Sequence, residues 1–447
     1  MNKRRTNRFI MLSLGLSIIL ISGVSGQANN VSNIKTNADS LLLKNIIETV
    51  IKSYPTVKAA QEAINNADAK IGLARTGYYP EADVTANYSN IGPVTKLTIP
   101  SLGTFQLYPD NNYSAAINYR QVLYDFGRTR ENIELEKENK AIGEQTLEQV
   151  KQKLSLFAVN NFYTLVFLQA AITIKDEQIE ALNEHLKFVE KMMATGSATE
   201  YQILTTKVSI STVESQKVDL IATLTSQQAS LNSLLGDKYT NIPVVKNDLT
   251  VEVPLIPSDS ALSFAFRNRD EVLINEKRTT LAELRYDMTK LQNKPVLNFM
   301  ASAGGKNGYI PDMAKIVPNY VVGIGIRVPL YDGSKNKFNL LQAQSAITSL
   351  SYESESAKRT ISNEVNDALA YMNASKKKIE QFELQLQTAL KAYSLAETSF
   401  KSGTITNLDL LYANTSVSES RLMLLKARID YVASVYKLKV ALGERIY

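Results

Sequence analysis

The octet "LYDFGRTR" at 123–130 returns as "LYDGSKNK" at 330–337, an offset of 207 residues. The same gapless shift lays "ATGSATEYQIL" (194–204) on "KSGTITNLDLL" (401–411) and "LLGD" (234–237) on "ALGE" (441–444). It also carries Tyr113 onto Tyr320 and Arg120 onto Arg327. Upstream, "YYPEADVTANY" (78–88) matches "NKPVLNFMASA" (293–303) at an offset of 215, so an eight-residue indel falls between 89 and 112. The chain therefore reads as two copies of one unit, with a first repeat over 27–257 and a second over 258–447. The period is far longer than that of solenoid repeats.

Lys3, Arg4, Arg5 and Arg8 precede an apolar run from Phe9 to about Val24, followed by small and polar residues. That pattern is a secretory signal peptide over 1–26, with a single membrane anchor as the alternative. Removing it takes four positive charges and no negative one, so the formal charge of +6 falls to +2. The basic balance is then a property of the leader and not a nucleic-acid surface. The chain has no cysteine, hence neither a disulfide nor a lipid-bearing cysteine. No later segment reads as the roughly 18 apolar residues of a membrane helix, so any membrane crossing falls to strands.

Residues 39–77 read as helix with a break at Tyr54-Pro55, because proline denies its predecessor the α conformation. Strands are expected at 80–90 and 113–124, from alternation such as Ala82, Val84, Ala86 and Tyr88 against Glu81, Asp83, Thr85 and Asn87. A loop joins them. From Arg128 to Ala194 there is no proline, and apolar residues recur at steps of three and four, as in Ile179, Leu182, Leu186, Val189 and Met193. This is a heptad seam about 100 Å long. "TGSATE" breaks it, and a return helix completes a long pair over 128–235; 236–257 is an irregular link. The second copy repeats the order: a helix over 258–294, strands at 295–304 and 319–331, and a long helix pair over 334–442. A return helix stacked end to end on a pre-strand helix would nearly match the long rod.

Each strand is long enough to cross a bilayer when tilted. Tyr320, Val322, Ile324, Ile326, Val328 and Leu330 line one face of the last strand. Four strands cannot close a barrel, and open edges in lipid leave backbone groups unpaired. The strands either form a small sheet on a soluble protein or are pooled between chains, three chains giving twelve. Tyr124 and Tyr331 fall where a barrel carries its aromatic girdle. Asp125 and Asp332 follow where strand must become helix and can cap free N–H groups. Gly127 and Gly333 permit the turn.

These halves, each with a Leu-Tyr-Asp joint, a long helix, a Gly-Thr-type turn and a return, resemble the TolC family of outer-membrane efflux and secretion proteins. The resemblance covers the whole mature chain. It implies a mainly α chain with a membrane β-part, four strands and long antiparallel helices per protomer. A homotrimer would form a 12-stranded β-barrel in outer-membrane lipid and an α-helical barrel through the periplasm. It further implies a passive duct for drugs or proteins, docked to a periplasmic adaptor (membrane fusion) protein and an inner-membrane efflux or ABC transporter. No cofactor, metal or nucleic acid is implied.

By the same resemblance, Gly403, Thr404 and Asp409 match the family's entrance pattern, with Asp409 as an acidic ring. Tyr412 stands where a second aspartate is frequent, and Ile405 where some members carry a latching arginine. The alternative for Asp409 is a helix-end residue favoured by the dipole. The turns holding Thr195, Gly196, Ser197 and Thr199, and Ser402, Gly403 and Thr406, would meet the adaptor. Arg120 and Arg327 are read as barrel-lumen residues, with an ion pair to Glu81 or Asp83 as the alternative for this face. His185 is the sole histidine, which excludes a multi-histidine site within the chain, and no phosphate-binding glycine loop has the required context. An enzyme is not expected. The rivals are a periplasmic coiled-coil adaptor, which needs one hairpin between soluble β-domains, and an envelope tether, which has no use for bilayer-length strands.

Overall fold

The computed structural model describes residues 42–101, 103–236, 249, 251–254 and 258–447. The leader over 1–26 and most of the link over 236–257 lie outside the described residues.

Eight helices and six strands are present among the described residues: α1 (Leu43–Ser53), α2 (Pro55–Arg75), β1 (Glu81–Asn90), β2 (Lys96–Ile99), β3 (Gly103–Gln106), β4 (Asn111–Tyr124), α3 (Arg128–Ala194), α4 (Glu200–Leu235), α5 (Ser258–Asn268), α6 (Asp270–Leu291), β5 (Val296–Lys306), β6 (Val317–Arg327), α7 (Lys335–Lys401) and α8 (Asn407–Leu442). The α1–α2 break falls at Tyr54, which is extended at φ −68°, ψ 132° ahead of Pro55.

Four expectations need correction. The helix expected over 258–294 is two helices, parted at Arg269, extended at φ −70°, ψ 130°. Arg269 stands 215 residues after Tyr54, so the kink recurs without its proline. Here ion pairs hold it: Arg269 is buried against Glu271 at 2.8 Å and Glu364 at 2.7 Å. The loop expected between the first two strands contains the β2–β3 hairpin. The last strand stops at Arg327 rather than 331; Pro329 has no N–H to give a ladder. Finally, α3 does contain an 18-residue stretch as apolar as a membrane span, but half of it is buried inside the protein. Its apolar residues are core: Ala158, Val159, Phe162, Leu165 and Val166 pack with Ile46 and Val50 of α1 and Leu231 and Leu235 of α4.

The rods are built as the heptad pattern requires. Ile133 of α3 meets Ile71 and Ala74 of α2, and Leu147 meets Val57 and Ile64. Farther along, Leu182 meets Ile210 and Val213 of α4. So α2, α1 and α4 together cover one long rod. In the second half, Ile361, Val365 and Ala368 of α7 pack with Ala261 and Ala265 of α5 and with Leu438, Ala441 and Leu442 of α8. At this level Arg445 grips Asp270 with two nitrogens, at 2.6 and 2.7 Å.

β1, β4, β5 and β6 form one antiparallel sheet in that order, leaving β1 and β6 as edges.

Candidate functional site

Strand register sorts the sheet into two faces. Asp83 lies opposite Asn118, Asn118 opposite Ser302, and Ser302 opposite Val321. Period-two alternation puts these on one side with Arg120 and Arg327. Val84, Ile117, Ala303 and Tyr320 form the matching row on the other side. That second face is apolar and bare: Val84 is 74% exposed, Tyr320 80% and Ile324 68%. A row of bare β-branched and aromatic side chains on a sheet has lipid as its natural solvent.

The polar face is knitted internally. Arg120 Nη2 donates to Asp83 Oδ1 at 2.9 Å, and Asn118 Nδ2 donates to Asp83 Oδ2 at 2.9 Å. Ser302 Oγ donates to Asn118 Oδ1 at 3.1 Å. Arg120 thus makes the cross-sheet ion pair held as the alternative reading, while sharing its face with Arg327. Met300 lies across Gly323 and Gly325 on this side.

Aromatic residues mark both ends of the apolar face. Tyr88 pairs with Tyr113, ring centroids 5.2 Å apart. At the other end Tyr124 packs edge-on to Phe126 at 4.7 Å. A bulge between Val122 and Tyr124 sets Tyr124 opposite Leu297, which turns its ring to the apolar side. Tyr113 to Tyr124 spans about 37 Å along a strand, or about 26 Å tilted by about 45°, close to the apolar band of a membrane barrel. Tyr331 lies past the end of β6 and is 87% exposed.

Both strand-to-rod joints share one construction. Thr129 N donates to Asp125 Oδ2 at 2.7 Å, and Gly127 N to Asp125 Oδ1 at 3.0 Å. In the second copy Asn336 N donates to Asp332 Oδ2 at 2.9 Å. Two successive residues are left-handed in each: Phe126 (φ 56°) and Gly127 (φ 94°), then Gly333 (φ 67°) and Ser334 (φ 67°). One of each pair is not glycine, at a cost of roughly 1–2 kcal/mol. The carboxylate hydrogen bonds and the rod beyond hold the conformation. Burial pushes the Asp125 carboxyl up, but the Thr129 hydroxyl and the Thr129 and Gly127 N–H groups outweigh it and leave it below its ordinary value.

The two turns at the far end of the rods are also alike. Gly196 and Gly403 both have φ 75°. Ser197 N donates to Met192 O at 2.8 Å and Thr404 N to Ser399 O at 2.9 Å, closing each helix with the six-to-one bond that a left-handed glycine permits. Thr195 Oγ1 and Ser402 Oγ donate to Met192 O and Ser399 O. Each return helix opens with a reciprocal box: Thr199 N donates to Gln202 Oε1 at 2.9 Å, and Thr406 N to Asp409 Oδ2 at 2.9 Å. The Thr406 hydroxyl adds a bond to the same oxygen at 2.7 Å. Those two donors lower the Asp409 carboxyl. In this protomer Asp409 is therefore a capping residue, and Tyr412 beside it is 73% exposed.

Sequence reasoning missed Asn407. It is buried, and its Nδ2 lies within hydrogen-bond distance of Gln202 O (3.2 Å), Thr205 Oγ1 (3.1 Å) and Thr206 Oγ1 (3.2 Å). Its Oδ1 lies 2.6 Å from His185 Nε2. Ile405 packs into the apolar cluster around Val189, Phe400 and Leu410. No group of three or more potential metal ligands is gathered among the described residues.

The sequence model of the outer membrane efflux protein family matches residues 46–237 and 262–444. The chain belongs to that family. It is an outer-membrane efflux or secretion channel protein with a long periplasmic helical part, and the adaptor alternative is not favoured. Over 128 residues, 28% of each chain, it is 32% identical to the outer membrane protein TolC of Vibrio cholerae. It is 22% identical to TolC of Salmonella enteritidis over 93% of this chain and 84% of the relative. It is 20% identical to the proteases secretion protein PrtF of Dickeya chrysanthemi over 91% and 89%. Among solved structures, CusC superposes with a TM-score of 0.77 at 19% identity, covering 90% of this chain and 92% of that one. VceC from Vibrio cholerae superposes with a TM-score of 0.75 at 17% identity, covering 91% and 97%.

Proposed function

We propose that three copies of this chain assemble into a passive duct through the outer membrane. The observation that carries this reading is the four-stranded sheet with one bare apolar face and two edges, β1 and β6. Such a sheet cannot sit in lipid alone, because each unpaired edge group costs several kcal/mol. Pairing β6 of one copy with β1 of the next removes the edges and gives twelve strands. The helical pairs then line a periplasmic tunnel. In this reading the chain is two copies of one unit, 27–257 and 258–447, behind a cleaved leader at 1–26.

The duct supplies no energy and catalyses nothing. It requires no cofactor. A periplasmic adaptor would meet the turns around Gly196 and Gly403, and an inner-membrane transporter would drive drugs or proteins through. Protease-secretion proteins and TolC proteins are both among the relatives, which supports export as the general task. Asp409 from each copy would stand near the entrance as a ring that favours cations. Arg120 and Arg327 would face the barrel lumen, Arg120 still paired with Asp83.

The test is the native mass of the mature protein in mild detergent, followed by bilayer conductance. Three chains and cation-selective pores weakened in selectivity by Asp409→Asn are expected. A stable monomer would remove the barrel and with it the channel.

A further inference from the structure

The four crossings between sheet and rods are held at one level. Arg128, at the start of α3, donates from Nε to Leu291 O at 2.8 Å, and from Nη2 to Gln292 O and Lys294 O at 2.7 and 2.6 Å. That fastens the exit from β4 to the entry into β5. Thr129 packs against Gly77, where an added Cβ would meet its hydroxyl at 2.9 Å, so the entry into β1 lies beside the same joint. Asn293 Nδ2 donates to Asp332 Oδ2 at 3.2 Å and brings in the exit from β6. Tyr124, Leu330, Tyr331 and Phe338 are bare around these crossings. This is the rim where the apolar sheet gives way to the rods.

The rim is cationic, and its cations have nothing to do inside the chain. Arg75, Arg130, Lys294, Lys335 and Lys337 are exposed, and none of these side chains has a hydrogen-bond or ion-pair partner among the described residues. The carboxylates of the joints are engaged elsewhere: Asp125 by Gly127 and Thr129, and Asp332 by Asn336 and Asn293. Helix formation does not ask for all these charges either. Arg75 suits the last turn of α2, but Lys335 and Lys337 stand in the first turn of α7, against its positive end and with no carboxylate in that turn. The opposite end of the sheet is different. Its two connections, 91–110 and 307–316, carry Lys96 and Lys315 against Asp110 and Asp312, and so balance.

We propose that this rim binds anionic phospholipid headgroups of the inner leaflet of the outer membrane. The inference rests on the reading above, in which the apolar face of the sheet meets lipid, and it adds a lipid class to that reading. Tyrosines at the end of a lipid-facing sheet mark the depth of the headgroups. Lysine and arginine lay their stems along such an apolar border and hold the charge in the polar layer. There a zwitterionic lipid offers a phosphate already balanced by its own ammonium, whereas a phosphatidylglycerol offers net negative charge. Each unpaired cation at the surface then favours the anionic lipid by roughly fivefold at most.

The test uses the full chain, purified in neutral detergent and offered mixed micelles of phosphatidylglycerol and phosphatidylcholine. Lipid that co-elutes on gel filtration is counted by mass spectrometry. Phosphatidylglycerol should be retained over phosphatidylcholine by about tenfold or more. The preference should shrink severalfold as salt rises from about 0.05 M to about 0.5 M. Arg75→Gln, Arg130→Gln, Lys294→Gln, Lys335→Gln and Lys337→Gln together should bring it within about twofold of none. Lys335→Gln with Lys337→Gln alone should lower it about threefold or more, which keeps the test decisive if the larger variant fails to assemble. Lys96→Gln with Lys315→Gln, at the other end, should leave it unchanged. Inorganic phosphate should compete no better than chloride at equal ionic strength. A preference that survives both rim variants, ignores salt, vanishes in the other-end variant or yields to inorganic phosphate overturns the proposal. A preference shown by single chains that make no pores would sink the channel reading and uphold the rim. Conducting trimers without the preference would do the reverse.

Discussion

Asp125 shows how much one carboxylate can organise. It lies two residues ahead of the N-cap position of α3, yet it takes the N–H groups of Gly127 and Thr129 and so finishes a helix of 67 residues. The two left-handed residues between are the cost of turning a strand into a rod within so short a stretch. Asp125→Asn keeps the shape and loses the charge that faces the positive helix end. Its expected cost is about 1 kcal/mol, read as a lower denaturation midpoint. Because the native carboxyl is depressed and the unfolded one ordinary, near 3.9, the wild-type advantage is fully present above about pH 3.9 and fades as the pH falls through the native value. A mutant midpoint that still trails wild type by the same margin at about pH 2 would contradict this account.

Among the elements, the α5–α6 break carries the sharpest energetic claim. Arg269 is buried between Glu271 and Glu364, and Gly443 presses on the backbone beside it, where an added Cβ would lie 2.6 Å from the Asn268 carbonyl carbon. Arg269→Ala leaves two partly exposed carboxylates without their buried partner and should cost about 2 kcal/mol in chemical denaturation. Arg269→Met, of similar length, leaves the same charges unpaired and should not rescue it. A loss under about 1 kcal/mol would mean that the kink is held by packing alone. This break also marks the limit of what the chain betrays by pattern. The long rods were legible because apolar residues at steps of three and four run uninterrupted from Arg128 to Ala194. The main strands were legible because alternation survives in Glu81–Asn90 and Val317–Arg327. Arg269 was not, since no proline announces it and its partner Glu364 is 95 residues away. The β2–β3 hairpin was hidden by strands of only four residues each. Of the tip, the glycines and Asp409 could be read from local rules. The Asn407–His185 contact joins positions 222 apart, which no local rule reaches.

The whole molecule is decided by which face of the sheet meets lipid. β6 offers a direct comparison, because neighbouring positions point to opposite sides. Ile324 shares the bare apolar face with Val84, Ile117 and Tyr320, whereas Val321 shares the polar face with Ser302 and Asn118. Both are well exposed in the single chain, at 68% and 58%, so exposure alone does not tell them apart. In a twelve-stranded barrel they part company. Ile324→Lys would hold an ammonium in hydrocarbon, at about 2–4 kcal/mol per copy near the midplane, while Val321→Lys would hold it in a water-filled lumen at little cost. Three copies multiply the first penalty. We expect Ile324→Lys to fail in membrane insertion and to be recovered as unassembled chain. Val321→Lys should assemble normally and shift the conductance or ion preference of the pore. Equal tolerance of both substitutions would mean that neither face meets lipid, and the strands would then belong to a small sheet in water.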